Sequence, residues 1–159
     1  MKKVYNLTVN NFHTYFVGVS GVLGHNGCGN SWRGFEFRDI NPNFPPNPKL
    51  VKEMKSSAMK NYCALYGTNC SEIAEDLFIS AGRKGKILEM TPKIKNRQIN
   101  TPLSNNKSED FYYHQVYTDG KYIYDPRLSN NPIPQNDYIR LMKGISPNNI
   151  NFKYITPEI

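Results

Sequence analysis

Apolar positions recur at helical spacing in two stretches near the middle of the chain. In residues 49–66, Leu50, Met54, Ala58, Tyr62, Leu65 and Tyr66 form an approximate stripe, and Lys49, Lys52, Lys55 and Lys60 fall mainly outside it. Gly67 ends that helix. In the next, Ile73, Ala74, Leu77, Phe78 and Ala81 share one face, Asn69 caps the start with Glu72 in capping-box position, and Gly82 provides the stop. Elsewhere the apolar stretches are short, and residues 4–9 alternate. Strands are expected at 4–9, 13–18, 86–90, 111–118, 121–125 and 151–155. A short helix over 136–142 precedes the last strand, with Tyr138 packed beneath it. Asp119-Gly120 joins two of the strands as a two-residue type I′ hairpin turn. Residues 91–110 are polar, hold two prolines and read as a long loop, which in a compact domain is functional or mobile. Residues 41–48 are proline-rich and extended, and Trp32, Phe35 and Phe37 mark a short docking segment before them.

The chain has 159 residues, 38% of them hydrophobic, which is enough for one domain with a core and a small appendage. No apolar run approaches the roughly 18 residues of a membrane helix, so stable membrane insertion is not expected. The alternating segment after Met1-Lys2-Lys3 is not a signal peptide. Any export is therefore expected to be arranged outside this chain. Three cysteines without a close pair argue against a disulfide framework and a structural zinc site. Neither a metal nor a cofactor is expected. Of the formal net charge of +7, much lies in Arg83, Lys84, Lys86, Lys93, Lys95 and Arg97, which face only Glu89. Such a cluster attracts RNA, acidic proteins or a membrane surface, or is simply a solvated face.

Cys70 falls in the first turn of its helix, on the inward side. Unpaired backbone N–H groups and the positive end of the helix dipole favour a thiolate there. The alternative is a small core residue. Cys63, inside a helix without such help, reads as packing, and Cys28 as incidental. A type I′ turn at Asp119-Gly120 sets Thr118 opposite Lys121 and, counting back, His114 opposite Asp125. Opposed residues share a face with Cβ atoms about 4.5–5.5 Å apart. Cys70, His114 and Asp125 then supply a nucleophile, a proton shuttle and a group that holds the shuttle. Tyr112, Tyr113, Tyr117, Tyr122 and Tyr124 make the hairpin aromatic, by default for core packing.

Two resemblances follow from these residues. Val4-Tyr5-Asn6-Leu7-Thr8-Val9, His13-Thr14-Tyr15-Phe16-Val17-Gly18, Gly21-Val22-Leu23 and His25-Asn26 resemble the closing motifs of a hedgehog/intein (Hint) domain. The resemblance implies that Asn26 cyclises with help from His25 and releases a product starting at Gly27. The front of such a domain has no counterpart here, and Gly27 is not a nucleophile. Residues 1–26 are therefore read as a remnant that neither splices nor cleaves alone. Asn69-Cys70-Ser71-Glu72-Ile73-Ala74, Tyr113-His114-Gln115-Val116, Asp119-Gly120-Lys121, Tyr124-Asp125-Pro126 and Tyr138 resemble the papain-fold toxin domains of bacterial polymorphic toxin systems.

That second resemblance spans about residues 48–156. It implies an α+β, papain-like fold with N-terminal helices packed on a small antiparallel sheet. The organisation is then a Hint remnant over 1–26, a linker over 27–48 and a toxin domain over 49–159. It also implies secretion within a larger toxin, delivery to the target-cell cytoplasm, a target-cell protein as substrate and a cognate immunity protein as partner. An orphan cassette or a displaced toxin tip is expected from the truncated Hint segment. Peptide cleavage, glutamine deamidation and amide exchange all begin with the same thioester and stay open. So do RNA cleavage through the basic residues and a purely binding role. One departure is that no glutamine precedes Cys70. Asn61, Asn69 or the Cys70 N–H would have to stabilise an oxyanion.

Overall fold

Helix α1 (Pro48–Met54) begins where the sequence supplies both a cap and a preset φ: Asn47 accepts from the Lys49 N–H and Pro48 stands at the first helical position. A computed structural model describes residues 31–65 and 69–159, together with the backbone of 14–17 and 22–25. The chain is α+β, with helices and antiparallel sheets. The expected single helix over 49–66 is two. After α1 the chain leaves helical geometry at Ser56, whose hydroxyl accepts from the Met59 N–H and starts α2 (Ser57–Ala64). The break rotates the second half, so Met59 is buried and Ala58 exposed, and Leu65 is 63% exposed.

Helix α3 (Cys70–Ser80) keeps its expected start and stop. Asn69 accepts from the Ser71 N–H, and Gly82, just past the cap residue Ala81, has φ +73°. The reciprocal half of the capping box does not form. The Glu72 carboxylate instead accepts from the Tyr62 hydroxyl of α2 (2.5 Å), which ties α2 to α3. Gly85, with φ +88°, then turns the chain into the sheet. A Cβ there would collide with the Thr118 carbonyl and the Tyr117 hydroxyl.

The main sheet has five antiparallel strands in the order β10-β9-β8-β5-β11. These are β5 (Lys86–Thr91), β8 (His114–Thr118), β9 (Tyr122–Tyr124), β10 (Ile133–Pro134) and β11 (Asn151–Ile155). The closing strand β11 pairs with β5 rather than with the β8–β9 hairpin. On one face, Leu50, Met54, Ile73, Leu77 and Phe78 of α1 and α3 pack against Tyr117, Tyr122 and Tyr124. On the other, Leu88, Met90, Val116 and Ile123 pack against Tyr138, Leu141 and Met142 of α4 (Gln135–Ile145). Tyr112 and Tyr113, by contrast, are exposed, because they lie in the turn before β8.

Two expectations change outside that sheet. The loop expected over 91–110 contains a hairpin, β6 (Ile99–Leu103) with β7 (Lys107–Phe111), closed by Asn105 and Asn106 at positive φ. Pro102 is tolerated there because this two-stranded sheet consists of edges. The stretch counted with the linker forms β3 (Ser31–Trp32) and β4 (Phe35–Glu36), and Trp32 and Phe37 join the α4-side core. Arg38 then anchors the segment. Its backbone N–H (2.8 Å) and its guanidinium both donate to Asp137 of α4, whose carboxylate is fully buried. The proline-rich stretch is fastened too, since the Asn47 N–H donates to the Tyr124 hydroxyl (2.9 Å).

Near the N-terminus, β1 (Thr14–Val17) and β2 (Val22–His25) pair antiparallel, with Thr14 opposite His25. His25 closes β2. Asn26, Cys28 and the strand expected over 4–9 lie outside the described residues.

Candidate active site

The expected hairpin register is off by two residues, yet it brings the intended pair together. Tyr117 is opposite Tyr124 and Thr118 opposite Ile123, which leaves four residues, 119–122, in the connection. Asp119 prevents the tighter turn. Its carboxylate accepts from the N–H groups of Lys121 and Tyr122 (2.8 Å each) and from the Tyr124 hydroxyl (2.8 Å). A slip of one residue would have put His114 and Asp125 on opposite faces; a slip of two preserves the face. Their side chains meet diagonally, with Nε2 of His114 3.2 Å from Oδ2 of Asp125.

His114 opens β8 and Asp125 follows β9, so both lie at one end of the antiparallel pair. Cys70, at the N-terminus of α3, reaches that end from the opposite side of the sheet. All three are buried. Nε2 is taken by Asp125, which leaves Nδ1 as the ring nitrogen available to the thiol; Nδ1 is buried and has no hydrogen-bond partner in the structure. Phe111 stacks on the ring with centroids 6.2 Å apart. The Gln115 backbone N–H lies near enough to favour a negative sulfur, while its side chain donates to Glu89 (2.7 Å).

Burial by itself pushes each member of the set toward neutrality, and the neighbours outweigh it. Burial raises the Cys70 thiol pKa, but the hydrogen bond and charge of His114 and the Gln115 N–H bring it below its ordinary 9. Burial lowers that of His114, but Asp125 and Cys70 raise it to about 9. Burial raises that of Asp125, but His114, Tyr138 and Arg127 hold it below the usual carboxylate range. All three shifts run in the direction of a thiolate–imidazolium pair resting on a carboxylate. Cys63 is the contrast: burial, then the charge of Asp125, pushes its thiol up to about 11.

Linkage gives this pair an unusual signature. The raised imidazole contributes stability that is full below its ordinary 6.5 and is lost as pH rises through about 9. The lowered thiol contributes stability that is present above 9 and is lost as pH falls through its lowered value. Above both the imidazole's ordinary 6.5 and the thiol's lowered pKa, and up to about 9, the two contributions change in opposite directions, because the proton the thiol gives up on folding is matched by the one the imidazole gains. Stability should therefore be nearly flat in that window. Thiolate ultraviolet absorbance of Cys28→Ser with Cys63→Ser, which leaves Cys70 as the single thiol, should nevertheless titrate below the ordinary thiol value, and adding His114→Ala should move that titration upward. A thiol titrating normally beside an intact His114 would contradict the pair.

Tyr138 is a site residue whose part only the fold reveals. Buried on α4, it donates its hydroxyl to Oδ2 of Asp125 (3.0 Å), while Oδ1 accepts from the Arg127 N–H (3.2 Å). Asp125 is thus held from three sides. Tyr138→Phe should cost about 1.5–3 kcal/mol, the usual worth of a hydrogen bond to a charged group. Asp125 contributes stability present above its ordinary 3.8 and lost as pH falls through its lowered pKa. With one donor fewer that pKa rises. The acid-unfolding midpoint of Tyr138→Phe, followed by circular dichroism, should therefore move to higher pH; an unchanged midpoint would remove Tyr138 from the site.

Of the oxyanion candidates, Asn69 adjoins Cys70. Its Oδ1 is occupied by the Ser71 N–H (3.0 Å) and the Tyr113 hydroxyl (3.4 Å), which leaves its Nδ2 as the donor. Asn61 is exposed on α2, rotated there by the break at Ser56. The basic residues are all exposed, but β5 divides them. Arg83, Lys84 and Lys86 lie at its start, and Lys93, Lys95 and Arg97 lie past its end, about 17 Å away at 3.3 Å per residue. Among the described residues no group of three or more His, Cys, Asp or Glu could hold a metal ion. Among them, too, no helix is long and apolar enough to cross a membrane.

The space among Cys70, His114 and Asp125 is about 10 Å³, room for about one water. Beside it lies a cleft of about 800 Å³ between α2, the β6–β7 turn and residues 126–131, and Pro126 and Arg127 line both spaces. No family model matches this chain, and neither a curated protein nor a solved structure matches it.

Proposed function

We propose that the chain is a cysteine-dependent, papain-like enzyme acting on an acyl or amide carbon, and that it serves as the C-terminal toxin of a bacterial polymorphic toxin. The observation that carries the chemistry is the assembly of Cys70, His114 and Asp125 at one end of the sheet. The toxin reading rests on the sequence resemblances.

In this reading the Cys70 thiolate attacks the carbonyl carbon, and the C=O electron pair moves to oxygen. The Cys70 N–H and the Asn69 amide receive the oxyanion. Collapse expels the amine, which takes the proton on Nδ1 of His114, and a thioester remains. Water then attacks with His114 as base, and the thiolate leaves. A peptide amine as leaving group makes this proteolysis, ammonia makes it glutamine deamidation, and an attacking amine in place of water makes it amide exchange. The domain would reach the target-cell cytoplasm as part of a larger secreted protein, act on a target-cell protein and be held in check by an immunity protein in the producer. The alternative of RNA cleavage draws on basic residues that β5 separates into two groups.

The test is growth of bacteria after induced expression of the chain as wild type, Cys63→Ser and Cys70→Ser, with folding checked by circular dichroism. Wild type and Cys63→Ser should stop growth, and Cys70→Ser should not. Equal toxicity of all three would remove the thiol mechanism, and degraded cellular RNA would turn the reading toward a nuclease.

A further inference from the structure

The large cleft beside the triad has a one-sided charge. Lys60, Lys107 and Arg127 line it. All thirteen Asp and Glu residues of the chain lie among the described residues, and none lines the cleft. Two carboxylates stand behind its wall: Asp125, which His114 and Tyr138 already occupy, and Glu109, 51% exposed in its side chain, which accepts from Nη2 of Arg127 (2.8 Å). Nη1 of Arg127 is buried and has no hydrogen-bond partner. Buried guanidinium N–H groups are rarely left so, because each forfeits its hydration. Arg127 also lines the space around the thiol and is backed by the Phe111 ring at 5.2 Å. It therefore stands where the cleft meets the reacting atoms.

We propose that this cleft binds an acidic segment of the target polypeptide, with Arg127 pairing the carboxylate nearest the reacting amide and Lys60 and Lys107 the carboxylates further out. The proposal rests on the acyl-transfer reading and names its substrate class. A nucleic acid fits less well. Sequence-tolerant strand binding needs aromatic faces on which bases stack. Trp32 is the aromatic residue that lines the cleft, and its face is already covered by the Arg33 guanidinium, 4.6 Å from the ring centroid. The serine and asparagine side chains along the cleft suit peptide carbonyls and carboxylates equally.

The test measures fluorescence anisotropy of labelled hexaglutamate, hexaglutamine and hexauridylate with the full chain carrying Cys70→Ser, so that nothing turns over. Hexaglutamate should bind about tenfold or more tightly than hexaglutamine, the scale of one charge-assisted pair, and salt should weaken it. Lys60→Gln with Lys107→Gln should remove most of the difference, and Arg127→Gln should do the same if it folds. Lys84→Gln with Lys86→Gln should not, because Lys86 pairs with Thr118 while His114 lies at the other end of β8. Equal binding of the two peptides would overturn the proposal. So would equal losses from the near and distant lysine pairs, or preference for hexauridylate. Iodoacetamide labelling of Cys28→Ser with Cys63→Ser, in which Cys70 is the single thiol, separates the two ideas: a reactive Cys70 without hexaglutamate binding sinks the subsite alone, and an inert Cys70 with binding sinks the chemistry alone.

Discussion

Cys70→Ser should lower the activity of this chain by roughly 10⁴-fold or more, the scale on which removing the nucleophile of a covalent triad acts. A hydroxyl is a similar volume to a thiol, so the helix start at Asn69 and the buried position should survive. What is lost is an ionisable group. The thiol of Cys70 is drawn below its ordinary pKa by His114 and the Gln115 N–H; a serine hydroxyl in the same setting stays protonated and must be activated during attack. The measurement is growth arrest on induction, paired with thermal melts of both proteins. The comparison with Cys63→Ser is informative because the two thiols differ in environment rather than kind. Cys63 has no partner that favours its thiolate as strongly, and its pKa rises to about 11. Its replacement should leave toxicity intact. If Cys70→Ser melts like wild type and still arrests growth, the thiol has no chemical part.

Trp32→Ala should cost about 3–5 kcal/mol of folding stability, as expected for truncating a buried tryptophan. Trp32 is only 6% exposed, packs in the α4-side core and donates its indole N–H to the Lys107 carbonyl (2.8 Å). The substitution would open a cavity and orphan that carbonyl. A residue of a free linker would cost within about 0.5 kcal/mol, so urea denaturation distinguishes the two cases directly. The same contact fastens the β6–β7 hairpin, because Lys107 opens β7. Trp32→Ala should therefore also loosen the wall of the cleft beside the triad. A loss below about 1 kcal/mol would return residues 31–38 to the status of a tether.

The sequence determined what depends on neighbours along the chain. The start of α3 was legible because Asn69 can cap it whatever lies elsewhere, and its end because Gly82 accepts positive φ. Strands β5 and β8 followed from short runs of apolar and aromatic residues bounded by turn residues. That His114 and Asp125 share a face was legible because face parity survives a register error of two. Even the error is local in kind: Asp119 and Gly120 do mark the turn, but whether Asp119 caps a wider connection depends on Lys121, Tyr122 and Tyr124 all reaching it.

The tertiary structure decided what depends on burial. The break at Ser56 lets Met54 and Met59 both reach the core. The β6–β7 hairpin hid in a polar stretch because its buried residues, Ile99, Thr101 and Pro102, include one polar side chain and one proline, while β7 is largely exposed. The six basic residues formed one run in sequence and two groups in space, because a strand holds its ends apart. Tyr138 orients Asp125 from another element, and no spacing along the chain encodes a hydroxyl aimed at a carboxylate. Arg127 acquired its place for the same reason: a cation without a full set of partners is recognisable only once the fold has removed it from water.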